Sequence, residues 1–411
     1  MKNFNLFSLI AIVILLFEIT HTAHAEEGSI GIEEVVKKTL DNSQLVKEIE
    51  AAYLNKNAEA LETKTLSNPT LDAELAVPLA WNEARGENEI SLSITQPFKL
   101  SQVSLRSRLA ELLYSVANSE KEQEVIELIV KTKLSFARLW LLSERERILK
   151  EFQPKTKSIT QFVNTGLKQG AYGQGDEALF RTEIAKSEAE LLGIQAELIS
   201  AEAEMTRLAG QSFKNQKLKS PSISSTLSVE QIQSRLSNGE VKMQGRARIL
   251  ADLAKANLEV ATSDAFPELR PSLVYSKTND GVDIVGIGLS VDLPLFSQNN
   301  SEQMRKRADY NAAEAKFSNL RSEAFKLSVI NSVRSYQLRL EELRLYETKV
   351  IPAIKESLSA FEKQVRNGQG SVFQLWQTLR EYLNIQERYL ELWTMAFSEQ
   401  QELAILIGEE I

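Results

Sequence analysis

The sequence predicts a mixed α and β chain, mostly long α-helices, with two bilayer-length β-hairpins set into them. Three observations carry this prediction. Two segments alternate apolar and polar residues with period two, and nearly all of the remainder spaces its apolar residues three and four apart. In addition, the turn and proline positions of the first half recur in the second at an almost constant offset.

The first 25 residues read as a targeting segment. Lys2 precedes an apolar run from Leu6 to Phe17, and Ala23-His24-Ala25 forms an A-x-A cleavage site, the pattern of a cleaved secretory signal peptide. From Ile30 to about Leu66 the pattern is helical, carried by Ile32, Val35, Val36, Leu40, Leu45, Ile49, Ala52 and Tyr53. The first hairpin, 68–97, follows: Leu71, Ala73, Leu75 and Val77 alternate with Thr70, Asp72 and Glu74, and Ile90, Leu92 and Ile94 with Ser91, Ser93 and Thr95. After Leu100 a helical region runs to about Val163, interrupted at Pro154, and on the order of 90 Å long at 1.5 Å per residue. A turn at Gly170-Ala171-Tyr172-Gly173-Gln174-Gly175 ends it, and a helix from Asp176 to about Ala209 returns.

The segment 211–242 reads as a linker, Lys-rich and then Ser/Thr-rich, with a short helix near Glu230 to Ser237. The second unit then repeats the first: a helix from about Met243 to Asp264, a hairpin at 267–294, and a long helical pair to the end of the chain. In that hairpin Leu269, Pro271, Leu273 and Tyr275 share one face, Asn279-Asp280-Gly281 marks the turn, and Val285 to Leu293 alternate with Gly286, Gly288, Ser290 and Asp292. Pro69 and Pro267 open the hairpins; Pro97 and Pro294 close them. Pro69, Pro154 and Gly210 match Pro267, Pro352 and Gly408, each 198 positions later, while Pro97 matches Pro294 at 197 and Gly175 matches Gly370 at 195. The division expected is therefore a signal segment 1–25, a first repeat 26–210, a linker 211–242 and a second repeat 243–411.

Composition narrows the function. Both histidines, His21 and His24, lie in the signal segment, and the chain has no cysteine. The mature part therefore lacks His/Cys zinc ligands, thiol or imidazole catalysis and a lipid-modified N-terminal cysteine. No catalytic residue, cofactor site or metal site is expected. Lys2 and Glu18 cancel, so the mature charge stays at 47 − 55 = −8, which argues against nucleic acid as a partner. No further apolar run approaches the length of a spanning helix. Four membrane-length strands cannot close a barrel, and an open edge in lipid is costly, so the strands require other copies of the chain. The polar strand faces, with Asp72, Glu74, Ser91, Ser93, Thr95, Arg270 and Asp292, would then line a water-filled lumen. The deduction is a pore.

At this point the residues resemble the TolC family of outer membrane efflux proteins. The resemblance is carried by N-P-x-L at Asn68 to Leu71, F-P-x-L at Phe266 to Leu269, Q-P-F and L-P-L-F closing the hairpins, and Gln364-Val365-Arg366-Asn367-Gly368-Gln369-Gly370-Ser371 before an apolar helix start. It implies a homotrimer with a twelve-stranded outer-membrane barrel, four strands per chain, on a periplasmic α-helical barrel. It also implies an exit duct working with a periplasmic adaptor and an inner-membrane RND-type pump, in the outer membrane of a Gram-negative bacterium. The mature length and compact loops resemble most the cobalt-zinc-cadmium branch. In that family acidic residues of the returning helices ring the closed aperture. Here the first tip has Asp176 and Glu177, which serve equally as helix-opening acids, and the second has the uncharged Gln374 and Gln377. Gly170, Gly173, Gly175, Gly368 and Gly370 mark the tip turns, with glycine backbone freedom expected at Gly368 and Gly370, and Tyr172, Phe373 and Trp376 flank the turns as docking or packing aromatics. Two other classes fit parts of the pattern. A periplasmic adaptor would show one helical hairpin with separate β-domains, and a coiled-coil structural protein would lack the hairpins. Secreted polypeptides are a further cargo class beside metal ions and drugs.

Overall fold

The computed structural model describes residues 29–76, 89–170, 173–214, 216–224, 228–278, 281–292 and 298–409. The signal segment, most of the first hairpin's turn, Tyr172, Asn279-Asp280, Pro294 and Phe296 therefore lie outside the described residues.

Ten helices and six strands follow one another in the described residues. The strands are β1 (Ser29–Ile30), β2 (Thr70–Ala76), β3 (Glu89–Thr95), β4 (Lys217–Leu218), β5 (Leu269–Thr278) and β6 (Asp283–Val291). The helices are α1 (Ile32–Asn42), α2 (Gln44–Lys64), α3 (Val103–Lys168), α4 (Gln174–Ala209) and α5 (Val229–Asn238), then α6 (Lys242–Ser263), α7 (Asn300–Arg321), α8 (Glu323–Leu345), α9 (Ile351–Arg366) and α10 (Val372–Ile407).

The hairpins join into one antiparallel sheet of order β2-β3-β5-β6, leaving β2 and β6 as free edges. Register places Leu71 opposite Ile94, Ile94 opposite Leu273, and Leu273 opposite Ile287, so one face is apolar across all four strands. Asp72 opposite Ser93 and Thr95 opposite Ser272 define the polar face. The apolar face is uncovered: Ile287 is 91% exposed, and Leu71, Leu75, Val285 and Leu289 are exposed as well. A water-soluble sheet buries its apolar face, so this face is one that something other than water and this chain covers.

The helices continue the order of the strands. At the sheet end α2, α3, α6 and α7 lie side by side, each attached to β2, β3, β5 and β6 in turn. Further away α4, α3, α10 and the α8–α9 run keep the same sequence of neighbours. The chain is thus a wall four elements wide. It has two flanks, formed by β2, α2 and α4 on one side and by β6, α7, α8 and α9 on the other.

The two units differ in continuity. Helix α3 runs 66 residues without a break, about 100 Å at 1.5 Å per residue, and carries Pro154 inside it. Its counterpart in the second unit is cut twice. Ser322 takes an extended conformation and caps α8 by accepting from Phe325 N at 3.2 Å, and a π turn at Tyr346–Val350 precedes Pro352 in the first turn of α9. The equivalent prolines are thus not equivalent in effect: Pro154 leaves the helix assignment unbroken, whereas Pro352 opens a new helix. Ser43 likewise splits the first helical region, capping α2 from Leu45 N at 3.1 Å.

Half-way down the wall, Trp140 of α3 meets Trp393 of α10 with ring centroids 4.5 Å apart, and Phe397 stacks on Trp393 at 5.1 Å. Phe136, Met205, Leu208, Phe213 and Ile32 complete this core. The linker segment wraps it: β4 pairs in parallel with β1, and Lys219 N donates to Ile30 O at 2.8 Å. Tyr336 is fully buried and donates its hydroxyl to the Ser224 carbonyl, while Ser224 N donates to Gln400 Oε1 at 3.3 Å. Burial holds the Tyr336 phenol above its ordinary range.

Candidate functional site: the tip turns and the membrane junction

The two helical turns farthest from the sheet are built differently. In the second, Gly368 has φ +73°, Gly368 N donates to Val365 O at 3.0 Å and Gln369 N to Gln364 O at 2.9 Å. This pair of bonds closes α9 with a left-handed residue, a Schellman cap. Gly370 is needed for another reason. A Cβ there would lie 2.8 Å from Val365 N and 3.0 Å from the Gln364 carbonyl carbon, so the backbone of the closed helix end leaves no room for it. Ser371 then caps α10, accepting from Gln374 N at 3.4 Å.

In the first turn Gly170 has φ +75° and ends α3. Helix α4 begins at Gln174, two residues earlier than the sequence implies, so Gly175 and Asp176 belong to its first turn. Gly170 is held in the left-handed region, whereas at Gly175 an added Cβ meets nothing within 4 Å. Glu177 lies 4.0 Å from Arg181, one turn along, which is a surface pair. Gln374 and Gln377 are exposed on α10.

Beneath the turns, Phe152, Ile159, Val163, Phe180, Leu358, Val365, Val372, Leu375 and Leu379 pack into one core that holds both hairpins together. Phe373 stacks on Trp376 at 5.7 Å, and the Arg380 guanidinium lies 5.0 Å above the Trp376 ring. Arg380 Nε is 3.9 Å from the carboxylate of Glu183, a buried acid on α4. The aromatics foreseen near the tip thus fasten α10 to itself and, through Arg380, to α4, although Phe373 keeps an exposed face. One turn pair higher, burial, then a hydrogen bond donated to Glu190 and the charge of Glu190, raise the Glu387 carboxyl above the carboxylate range; Arg145 and Lys186 pull it back.

At the other end, the hairpin prolines sit where strands meet helices. Pro69 immediately precedes β2, Pro267 precedes β5 by two residues, and Pro97 follows β3 by two. The ladder continues past Pro97, with Phe98 N donating to Leu269 O at 2.8 Å. Asp264, after α6, accepts from Lys99 Nζ at 2.7 Å and from Gln102 Nε2 at 2.6 Å; Gln102 in turn accepts from Arg106 Nε at 3.0 Å. Nothing in the sequence pattern pointed to Asp264 or to Glu183, because their partners lie 165 and 197 positions away. Among the described residues no group of three or more His, Cys, Asp or Glu side chains is placed to hold a metal ion. Likewise, no described helix is long and apolar enough to cross a membrane.

The family model for outer membrane efflux proteins matches residues 245–409. No curated protein matches the chain. Solved structures extend the likeness to the whole fold. The chain matches CusC at TM-score 0.73 and 16% identity, covering 96% of each chain. It matches VceC of Vibrio cholerae at TM-score 0.75 and 16% identity, covering 92% of this chain and 96% of that one. CmeC of Campylobacter jejuni, described as an outer membrane channel, matches at TM-score 0.72 and 14% identity over 92% and 85%. The fold is shared with these structures: mostly long helices joined to a four-stranded sheet.

Proposed function

We propose that this chain is the outer-membrane exit duct of a tripartite efflux system. Three copies contribute four strands each to a twelve-stranded barrel, and their helical walls continue it into the periplasm. The observation that carries this reading is the four-stranded sheet, apolar on its uncovered face, polar on the other and open at β2 and β6. A soluble adaptor would bury such a face and pair or cover such edges, so the adaptor and coiled-coil readings have no support in it.

The chain is exported by a cleaved signal peptide and stays in the outer membrane through its barrel, without a lipid anchor. An inner-membrane RND-type pump and a periplasmic adaptor deliver cargo, and the duct itself is passive. The two tip hairpins form the periplasmic end. Asp176, Glu177, Gln374 and Gln377, in the first two turns of α4 and α10, surround the aperture, and movement of those helices about Gly170, Gly173, Gly175, Gly368 and Gly370 widens it. With two of the four gate positions uncharged, the aperture attracts cations less than an all-acid ring does.

Conductance of the purified mature protein in a planar bilayer tests the reading. Discrete channels with a cation preference that falls in the Asp176→Asn, Glu177→Gln double variant are expected. A verified trimer that never conducts, even when its tips are unlatched by Arg380→Ala, overturns it.

A further inference from the structure

The wall described above has two long flanks, and its uncovered apolar side chains are not spread evenly. Among the described residues, every large apolar side chain of an α-helix that is more than half exposed lies on α2, α4, α7 or α8. These are Leu54 and Leu61, Leu192 and Ile199, Met304, and Leu327 and Leu338. All four helices belong to the flanks, and the central helices α3, α6 and α10 carry none. Such patches on an otherwise polar surface mark sites that another molecule covers.

One flank feature is concave. A groove of about 1110 Å³ is lined by Pro221, Ile223, Leu340, Leu345, Tyr389 and Trp393, between the linker segment, α8 with its π turn, and α10. The opposite flank offers a ridge. Leu192 and Ile199 stand seven residues apart on α4, each 69% exposed, on one helical face.

Contacts along the wall fix their levels. On α4, Gln195 reaches Glu146 and Glu204 reaches Arg138, which places Ile199 beside residues 141–143 of α3. On α8 and the π turn, Arg339 reaches Glu399 and Glu347 accepts from Tyr389, while Trp393 stacks on Trp140, which places Leu345 at the same height. The two therefore agree to within about one helical turn, roughly 5 Å.

We propose that this groove of each copy receives the Leu192–Ile199 ridge of the next copy. The occupant is a second copy because the free sheet edges β2 and β6 lie on these same two flanks and already require one. The inference rests on the duct reading and names the helical seam that closes it.

The chain contains no cysteine, so paired cysteines report the seam without background. An Ile199→Cys, Leu345→Cys double variant of the full mature chain, treated with a short bis-methanethiosulfonate in detergent, is expected to give covalent dimers and trimers. Each single variant, and an Ile199→Cys, Met304→Cys pair whose levels differ by many turns, is expected to give at least tenfold less. Native mass measurement accompanies each sample. A trimer whose 199/345 pair cross-links no better than the 199/304 pair overturns the seam and leaves the duct standing. A chain that remains monomeric overturns the duct reading and the seam with it.

Discussion

The second tip turn contains two glycines with different physical reasons, and this separates the outcomes of substituting them. At Gly368 an added Cβ meets nothing within 4 Å, so the whole cost of Gly368→Ala is the left-handed backbone, about 1–2 kcal/mol. Asn tolerates that conformation better than Ala, so Gly368→Asn is expected to cost less than Gly368→Ala. At Gly370 the conformation is ordinary, but the Cβ would press on Val365 N at 2.8 Å, and a backbone atom cannot rotate away. Gly370→Ala is expected to cost about 1–3 kcal/mol, as overpacking does, and Gly370→Asn no less. Local opening of the turn, read by hydrogen-exchange mass spectrometry on peptides spanning 362–375, measures both. One kcal/mol corresponds to about fivefold faster exchange where opening is the limiting equilibrium. The reasoning fails if Asn rescues Gly370 as well as Gly368, or if Gly370→Ala exchanges at the native rate.

Three further outcomes follow from the wall and the sheet. Ile287→Lys puts a charge on the lipid-facing side of β6 and is expected to cost about 2–4 kcal/mol if it stands near the bilayer midplane; normal heat-stable trimers in the outer-membrane fraction would contradict the face assignment. Trp393→Ala removes the ring packed between Trp140 and Phe397, and denaturant unfolding should show a loss of about 3–5 kcal/mol, with Trp393→Phe much milder. The Glu387 carboxyl is held above its ordinary range, chiefly by burial and then by Glu190, so it favours the fold when protonated. That contribution is whole below the unfolded-state value and fades as pH rises through the raised folded-state value. Thermal melts should therefore rise on acidification from about pH 8 to about pH 5 by more in the native chain than in Glu387→Gln, and equal slopes would remove Glu387 from the account.

Much of the architecture is legible in sequence because it repeats over short distances. Alternation at Leu71 to Ala76 and Val285 to Val291 needs only neighbours to be read, and register then puts every alternating residue on the face expected. Glycine at 368 and 370 likewise announces a turn. The breaks are less visible. Ser43 and Ser322 look like ordinary polar positions within a helical period, and their capping role emerges only once the chain bends there. The two-residue strands β1 and β4 contain no period at all, and their pairing is set by the Trp140–Trp393 core they wrap. Asp264 with Lys99 and Gln102, and Glu183 with Arg380, are encounters between units. The second has a pattern that only folding exposes: α4 and α10 are the equivalent helices of the two repeats, and Glu183 and Arg380 are separated by 197 positions, almost the repeat offset.

The uncovered apolar sheet also sets a condition on how the protein reaches its destination. If the chain is the duct proposed, that face and the two unpaired edges stand in water together between export and insertion, and such edges template non-native pairing. On that reading each chain has an adhesive end until insertion, and its survival depends on how fast it meets lipid and its own kind. Abundance of the assembled form should then rise more steeply than expression at low expression, as mass action requires of an obligate oligomer, and holding chaperones should matter most to the sheet rather than to the helices.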